Sequence, residues 1–162
     1  MFSYLRSQIL GINRHELGHG LIRRARLDDA AVIARIFRES RAEAMPWLPV
    51  LHTPEEDLAW FRGTLAGEAW IFEEGGIPLG YAVWKDDELH DLYVAPAAQR
   101  RGVGSALFAH VQSLRPDGFR FWAFRDNWRA RAFYEARGCV VVGASDGDNE
   151  EKLPDVLYEW LP

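Results

Sequence analysis

The stretch "LHDLYVAPAAQRRGVGSAL", Leu89 to Leu107, holds the junction from which the fold is read. A strand, "ELHDLYVA" (88–95), runs into Pro96. A loop follows with Gln99, Arg100, Arg101, Gly102 and Gly104, and then Val103, Leu107, Val111 and Leu114 recur at helical spacing. Glycines at a helix start let the backbone come close to a ligand, and the first-turn N–H groups have no intrahelical acceptor. With the helix dipole they make an anion site, to which Arg100 and Arg101 add charge. A pyrophosphate is the anion that fits.

Two familiar phosphate loops are excluded. No Gly-Lys-Ser/Thr follows, so this is not a Walker A loop, and Leu107 stands where a dinucleotide fingerprint needs its third glycine. A bare G-x-G would equally suit a tight turn with surface arginines. The preceding strand and Gln-Arg-Arg tip the reading toward a phosphate site.

Working outward, "LIRRARL" (21–27) alternates apolar and cationic residues as a strand does, and Asp28 is placed to cap a helix with Ile33, Ile36, Phe37 and Ser40 on one face. "MPWLPVLH" (45–52), with two prolines, cannot be helix interior. Thr53, Pro54 and Glu56 form an N-cap, an N1 proline and a capping box for the next helix. "AWIFEE" (69–74), Gly75-Gly76 and "PLGYAVWK" (78–85) read as an antiparallel hairpin. Beyond the central junction come the strand "FRFWAF" (119–124), a cap at Asp126-Asn127, and the helix "WRARAFYEARG" ending at Gly138. "CVVVGAS" (139–145) and "DVLYEWL" (155–161) close the chain as a strand pair around a polar loop. The order β-α-α-β-β-β-α-β-α-β-β predicts a mixed α/β sheet covered by helices.

Composition narrows the function. The chain has 162 residues, enough for one domain, and a formal net charge of −5, which argues against a general nucleic-acid binder. Cys139 is the sole cysteine, so an intrachain disulfide and a Cys-rich metal site are excluded. The leader shows no apolar run of signal-peptide or membrane-span length, and a cytoplasmic location and no membrane partner are expected. Residues 1–20 read as a leader of uncertain role and 21–162 as the folded domain.

"QRRGVG" matches the Q/R-x-x-G-x-G/A signature of the GNAT N-acetyltransferase superfamily, and the chain resembles that family in two further places. "LYVAP" looks like its fourth strand, and "NWRARAFYEARGC" is similar to its block of Asn followed by A-x-x-F-Y-E-x-x-G. The resemblance implies the acyl-CoA N-acyltransferase fold, a mixed, mainly antiparallel sheet of about six to seven strands flanked by about four helices. It implies acetyl-CoA as cofactor, with its pyrophosphate on the backbone from Arg100 through Arg101, Gly102, Val103 and Gly104 to Ser105, and with Gln99 opening the turn. Leu92, Tyr93 and Val94 would face the pantetheine arm where two strands splay, Asn127 and Phe133 would touch the cofactor further along, and Arg137 would lie near its adenosine phosphate. Tyr134 would stand beside the thioester sulfur.

Acetyl transfer to an amine needs a base, an oxyanion donor and a proton for the leaving thiolate. An alkyl ammonium has a pKa of about 10, so a side chain or water must take its proton. The Val94 N–H is the expected oxyanion donor and Tyr134 the expected proton source. Glu88 is the first choice for the base, with His90, two residues on and on the same face of an ideal strand, and His52 as the other candidates. Trp47, Leu48, His52, Trp84 and His90 are expected around the acceptor, a small amine, amino acid or peptide N-terminus. The rival reading is a non-catalytic acyl-CoA-binding module, and a homodimer is compatible with either.

"HELGHG", His15 to Gly20, fits the zinc-peptidase pattern H-E-x-x-H. Its extension is missing, because Ile22 and Ala25 stand where a glycine and a third histidine belong. Gly18 costs roughly 1 kcal/mol of helix propensity relative to alanine, and the remainder of the chain is committed to another site. A fortuitous match in the leader is the expectation.

Overall fold

In the computed structural model residues 12–13 and 20–162 are described, so His15, Glu16 and His19 of the peptidase-like motif lie outside the described residues. The elements are β1 (Ile12–Asn13), β2 (Gly20–Arg24), α1 (Ala30–Ala44), α2 (Pro54–Thr64), β3 (Glu68–Glu74), β4 (Ile77–Lys85) and β5 (Glu88–Val94). Then follow α3 (Val103–Leu114), β6 (Phe119–Phe124), α4 (Trp128–Glu135), β7 (Val140–Ser145) and β8 (Asp155–Trp160). From β2 onward the order is the expected one; β1 adds a short strand from the leader.

One sheet runs β1-β2-β3-β4-β5-β6-β8-β7. Every neighbouring pair is antiparallel except β5 and β6, which are parallel and joined at a single register pair, Glu88 with Arg120. Beyond that pair the two strands part. The sheet is therefore mixed and mainly antiparallel and, among the described residues, has four α-helices, as expected of the acyl-CoA N-acyltransferase fold; with β1 it counts eight strands rather than six to seven.

Each face of the sheet has its own core. On one, Ile33 and Ile36 of α1 and Phe61 of α2 bury Ile71, Tyr81 and Val83. On the other, Leu107, Phe108 and Val111 of α3 and Tyr134 of α4 pack with Phe72, Ala82, Phe121 and Tyr158. Gly80 permits the close seating of α3 on β4: an added Cβ would lie 2.9 Å from Val103 Cγ1 and 3.0 Å from the Tyr93 carbonyl.

Local chemistry sets the element ends. The Thr53 hydroxyl accepts from the Glu56 N–H at 3.2 Å, and the Glu56 carboxylate accepts from the Thr53 N–H at 2.7 Å, completing the expected capping box. Strand β2 is shorter than expected, stopping at Arg24 rather than at residue 27. Asp29, not Asp28, makes the turn: its carboxylate accepts from the Arg26 N–H at 2.7 Å and takes both terminal nitrogens of Arg23 at 2.8 Å.

A bulge in β5 redirects the side chains that matter most. Trp84 pairs with Leu89 and Val83 with Asp91, so His90 is the extra residue. The i, i+2 relation expected between Glu88 and His90 is thereby broken. Asp91 accepts from the buried Tyr81 hydroxyl at 3.2 Å, and the His90 ring lies 5.4 Å from that of Trp60 on α2. Both neighbours thus project toward the α1 and α2 side.

Candidate active site

The opening between β5 and β6 leaves backbone groups directed away from the ladder. The Ala95 N–H donates to the Leu79 carbonyl at 2.8 Å, and Leu79 and Ala95 continue the register that pairs Tyr81 with Tyr93. Antiparallel ladders alternate, so Tyr93 and Ala95 bond toward β4 while Leu92 and Val94 turn their N–H and C=O toward β6. The Gln99 side chain caps this edge, its Nε2 donating to the Val94 carbonyl at 3.2 Å.

The loop after β5 ends in a turn that leaves amide donors free. Arg100 and Gly102 have φ of 60° and 86°, and Gly102 is the N-cap of α3. The first intrahelical bond runs from the Ala106 N–H to the Gly102 carbonyl, so the amides of Val103, Gly104 and Ser105 have no acceptor within the helix. Arg137 of the α4 end joins this turn. It donates to the Ser105 hydroxyl and, at 2.7 Å, to the Phe133 carbonyl, with its guanidinium 3.5 Å from the Phe133 ring centre. The two segments that carried the resemblance therefore meet. Arg101, by contrast, is paired with Glu74 at 2.5 Å. The donor set, three first-turn amides beside a guanidinium, fits a diphosphate.

A cavity of about 960 Å³ opens at the splay, lined by α1, the 45–52 segment, α2, β5, β6, the start of α4 and the β7–β8 loop. Tyr134 reaches it from the core, its ring centre 4.3 Å from that of Phe121, and burial pushes its hydroxyl far above the usual tyrosine range. The phenol therefore stays protonated at any physiological pH. Asn127 lines the cavity too; its Oδ1 caps α4 by accepting from the Ala130 N–H at 3.2 Å, and its Nδ2 donates to Met45 Sδ at 3.2 Å. Tyr93 lies against Phe37 and is raised to about 12, chiefly by burial.

His90 and Asp91 form an adjacent pair on the cavity wall. The His90 Nδ1–H donates to Asp91 Oδ1 at 3.1 Å, and this hydrogen bond raises the imidazole pKa above its ordinary value against the opposing effect of burial. Holding Nδ1 in this way leaves Nε2 as the basic nitrogen.

Among the residues expected around the acceptor, Leu48, His52 and His90 line the cavity. The other two, Trp84 and Trp47, sit elsewhere. Trp84 packs on the α3 side with Phe119 and under Arg115, and Trp47 is edge-on to Phe124 and outside the lining. Glu88 lies at the closed end of the β5–β6 pair and borders a separate shallow depression with Arg120 and Asp117. Glu88, the first choice for the base, is therefore outside the cavity lining, whereas His90 is in it. Sequence reasoning missed Asp91, Trp60, Arg41, Glu150 and Glu151, all in the lining. The arginines of the first strand and of α4 are occupied internally, Arg23 with Asp29 and Glu73, Arg129 with Glu43, and Arg131 with the Tyr158 hydroxyl.

Comparison with known proteins bears on the fold and the family. A peptidyl-lysine N-acetyltransferase of Escherichia coli, YiaC, is 29% identical over 143 residues, covering 86% of this chain and 96% of its own. A GCN5-related N-acetyltransferase of Rhodopseudomonas palustris superposes with a TM-score of 0.76 at 24% identity, covering 93% of this chain and 100% of its own. The PaiA N-acetyltransferase of Thermoplasma acidophilum, solved with coenzyme A, superposes with a TM-score of 0.65 at 16% identity over 88% of this chain and 99% of its own. The sequence profile of the Acetyltransferase (GNAT) family matches residues 33–139. This match, over more than half of the chain and on a sheet whose β5 and β6 splay apart, places the chain in the GNAT family of acetyltransferases.

Proposed function

We propose that the protein transfers the acetyl group of acetyl-CoA to a primary amine held in the cavity between α1, α2 and the β5–β6 opening. The observation that carries this reading is that Tyr134 and the His90–Asp91 pair line one cavity at the β5–β6 opening, while the turn with unpartnered first-turn amides follows β5 directly in the chain. When bound, acetyl-CoA supplies an acetyl group activated as a thioester. The first-turn amides of Val103, Gly104 and Ser105, with Arg137 beside them, hold the diphosphate. Leu92 and Val94 offer their outward backbone groups to the pantetheine arm, and the Val94 N–H is the donor for the acyl oxygen.

His90 accepts a proton from the acceptor ammonium at Nε2, with Asp91 fixing the tautomer and stabilising the imidazolium. Tyr134 keeps its proton until the thiolate departs. Substrate charge fits the walls: seven carboxylates line the cavity against two arginines and one lysine, a surface that attracts cations. The Escherichia coli relative is a peptidyl-lysine N-acetyltransferase, which makes a lysine side chain the first acceptor to try. Among the described residues no helix is long and apolar enough to cross a membrane; a cytoplasmic location remains our proposal, suited to a chain whose one cysteine is free.

The test is amine-dependent thiol release from acetyl-CoA, followed on peptide and metabolite amines with mass-spectrometric detection of the acetylated product. Tight coenzyme A binding without turnover on any amine would leave only a binding module.

A further inference from the structure

Asp91 is 7% exposed, and both of its carboxylate oxygens are engaged. Oδ1 accepts from the His90 Nδ1–H at 3.1 Å, and Oδ2 accepts from the Tyr81 hydroxyl at 3.2 Å. Register explains the second contact. Tyr81 of β4 pairs directly with Tyr93, and Asp91 pairs with Val83, so the tyrosine reaches Asp91 along a diagonal of the ladder. The bulge that sets His90 beside Asp91 thus completes a line of phenol, carboxylate and imidazole.

Tyr81 stands behind the cavity wall. It is fully buried and absent from the lining, to which His90 and Asp91 belong. An edge-on contact with Phe61 of α2 at 5.7 Å and a tilted one with Tyr93 at 6.0 Å hold its ring. Burial, and then the Asp91 charge, push its hydroxyl well above the usual tyrosine range, so it is a donor at every working pH.

We infer that Tyr81 is a positioning residue for proton removal: its hydroxyl takes one oxygen of Asp91 and orients the other onto His90 Nδ1, so that Nε2 receives the proton of the acceptor ammonium. The inference rests on the acetyltransferase reading above and specifies how its base is held. In that step the ammonium N–H bond breaks with its electron pair left on the amine, and Nε2 uses its own pair to form the new bond. The phenol also shares the carboxylate's charge. Without it, the buried charge would bear on His90 alone, which favours the imidazolium and withholds the base. The other charges acting on His90 are Lys85, which opposes protonation, and Asp86, which favours it. From α2 the Trp60 ring faces the imidazole at 5.4 Å, while Asp57 is paired with Arg38 at 2.5 Å and Glu56 accepts from the Thr53 N–H.

Tyr81→Phe keeps the ring and removes the donor, and circular dichroism establishes that the full-length variant is folded. The His90 imidazole is titrated by NMR, its signal identified by loss in His90→Gln, and amine-dependent thiol release is followed across pH. In Tyr81→Phe the imidazole titration and the acidic limb of kcat/KM are both expected to move to higher pH. The rate below that limb falls about tenfold, as for loss of a hydrogen bond to a charged group, while the Kd for acetyl-CoA is unchanged. On an Asp91→Asn background the same change adds no further shift, because Tyr81 acts through the carboxylate. Replacing Tyr81 by 3-fluorotyrosine, a stronger donor of nearly the same size, moves both curves to lower pH and serves if Tyr81→Phe does not fold. An unmoved imidazole titration, or a moved one with an unmoved rate limb, overturns the inference and leaves the acetyltransferase reading intact. A moved titration without turnover on any amine overturns that reading, and the catalytic use of Tyr81 with it.

Discussion

His90 and Asp91 are consecutive residues of a strand, yet their side chains meet on one side of the sheet, with Nδ1 3.1 Å from Oδ1. Only the bulge opposite Val83 and Trp84 allows it. If this pair is the base, His90→Ala lowers kcat by about 10²- to 10⁴-fold, the usual contribution of a positioned proton acceptor. Steady-state thiol release with a saturating amine measures it. A loss below about threefold would assign proton removal to water.

The pH profile follows from the same contact. The Asp91 hydrogen bond raises the His90 pKa above the ordinary value of about 6.5, and a base works only when neutral. The rate therefore rises with pH through that raised value. Asp91→Asn, which removes the carboxylate but keeps an acceptor for Tyr81, moves this acidic limb to lower pH while reducing the plateau. An unmoved limb in kcat/KM would show that another group controls it.

Tyr134→Phe keeps the ring packing against Phe121 and removes the hydroxyl. The expected result is a fall of roughly ten- to a thousand-fold in the chemical step, with the Kd for acetyl-CoA little changed. Single-turnover kinetics separate the two. Burial holds the phenol protonated, so the wild type shows no loss of rate assignable to Tyr134 as pH rises through the ordinary tyrosine range.

Gly104 tests the diphosphate turn. A Cβ there would lie 3.5 Å from Phe133 Cε2 and 3.6 Å from Val94 Cγ2, which is ordinary contact, so Gly104→Ala folds. Gly104→Val adds bulk beside the first-turn amides and raises the Kd for acetyl-CoA by about tenfold or more. Equilibrium titration checks it; unaltered affinity in the folded variant would move the diphosphate elsewhere.

Gly80→Ala probes stability. Its methyl group meets Val103 and the Tyr93 carbonyl at 2.9 and 3.0 Å, so α3 must lift from β4. The expected cost is about 1–3 kcal/mol, read as a lower urea midpoint at constant m. Since α3 carries the diphosphate amides, cofactor affinity falls with it.

Much of this was legible in local sequence. The capping box at Thr53, the proline-bounded 45–52 segment and the glycine turn at Gly102 each follow from nearest-neighbour chemistry, and each occurs where expected. Ideal alternation predicts that Glu88 and His90 share a face, and the bulge that defeats it appears only in the pairing of this strand with β4. Trp84 went to the far face for the same reason that any strand tryptophan is ambiguous: period two does not say which face lies over the site. Glu150 and Glu151 read as loop charges because their partners are on an element about a hundred positions away.

The single pair between Glu88 and Arg120 makes the sheet two half-sheets riveted at one end. Backbone hydrogen bonds along the rest of that seam are replaced by whatever lies in it. A pantetheine arm bonded to the free edges of Leu92 and Val94 would act as a missing rung, so ligand binding should slow amide exchange at the inner edges of both halves, well beyond the residues it touches.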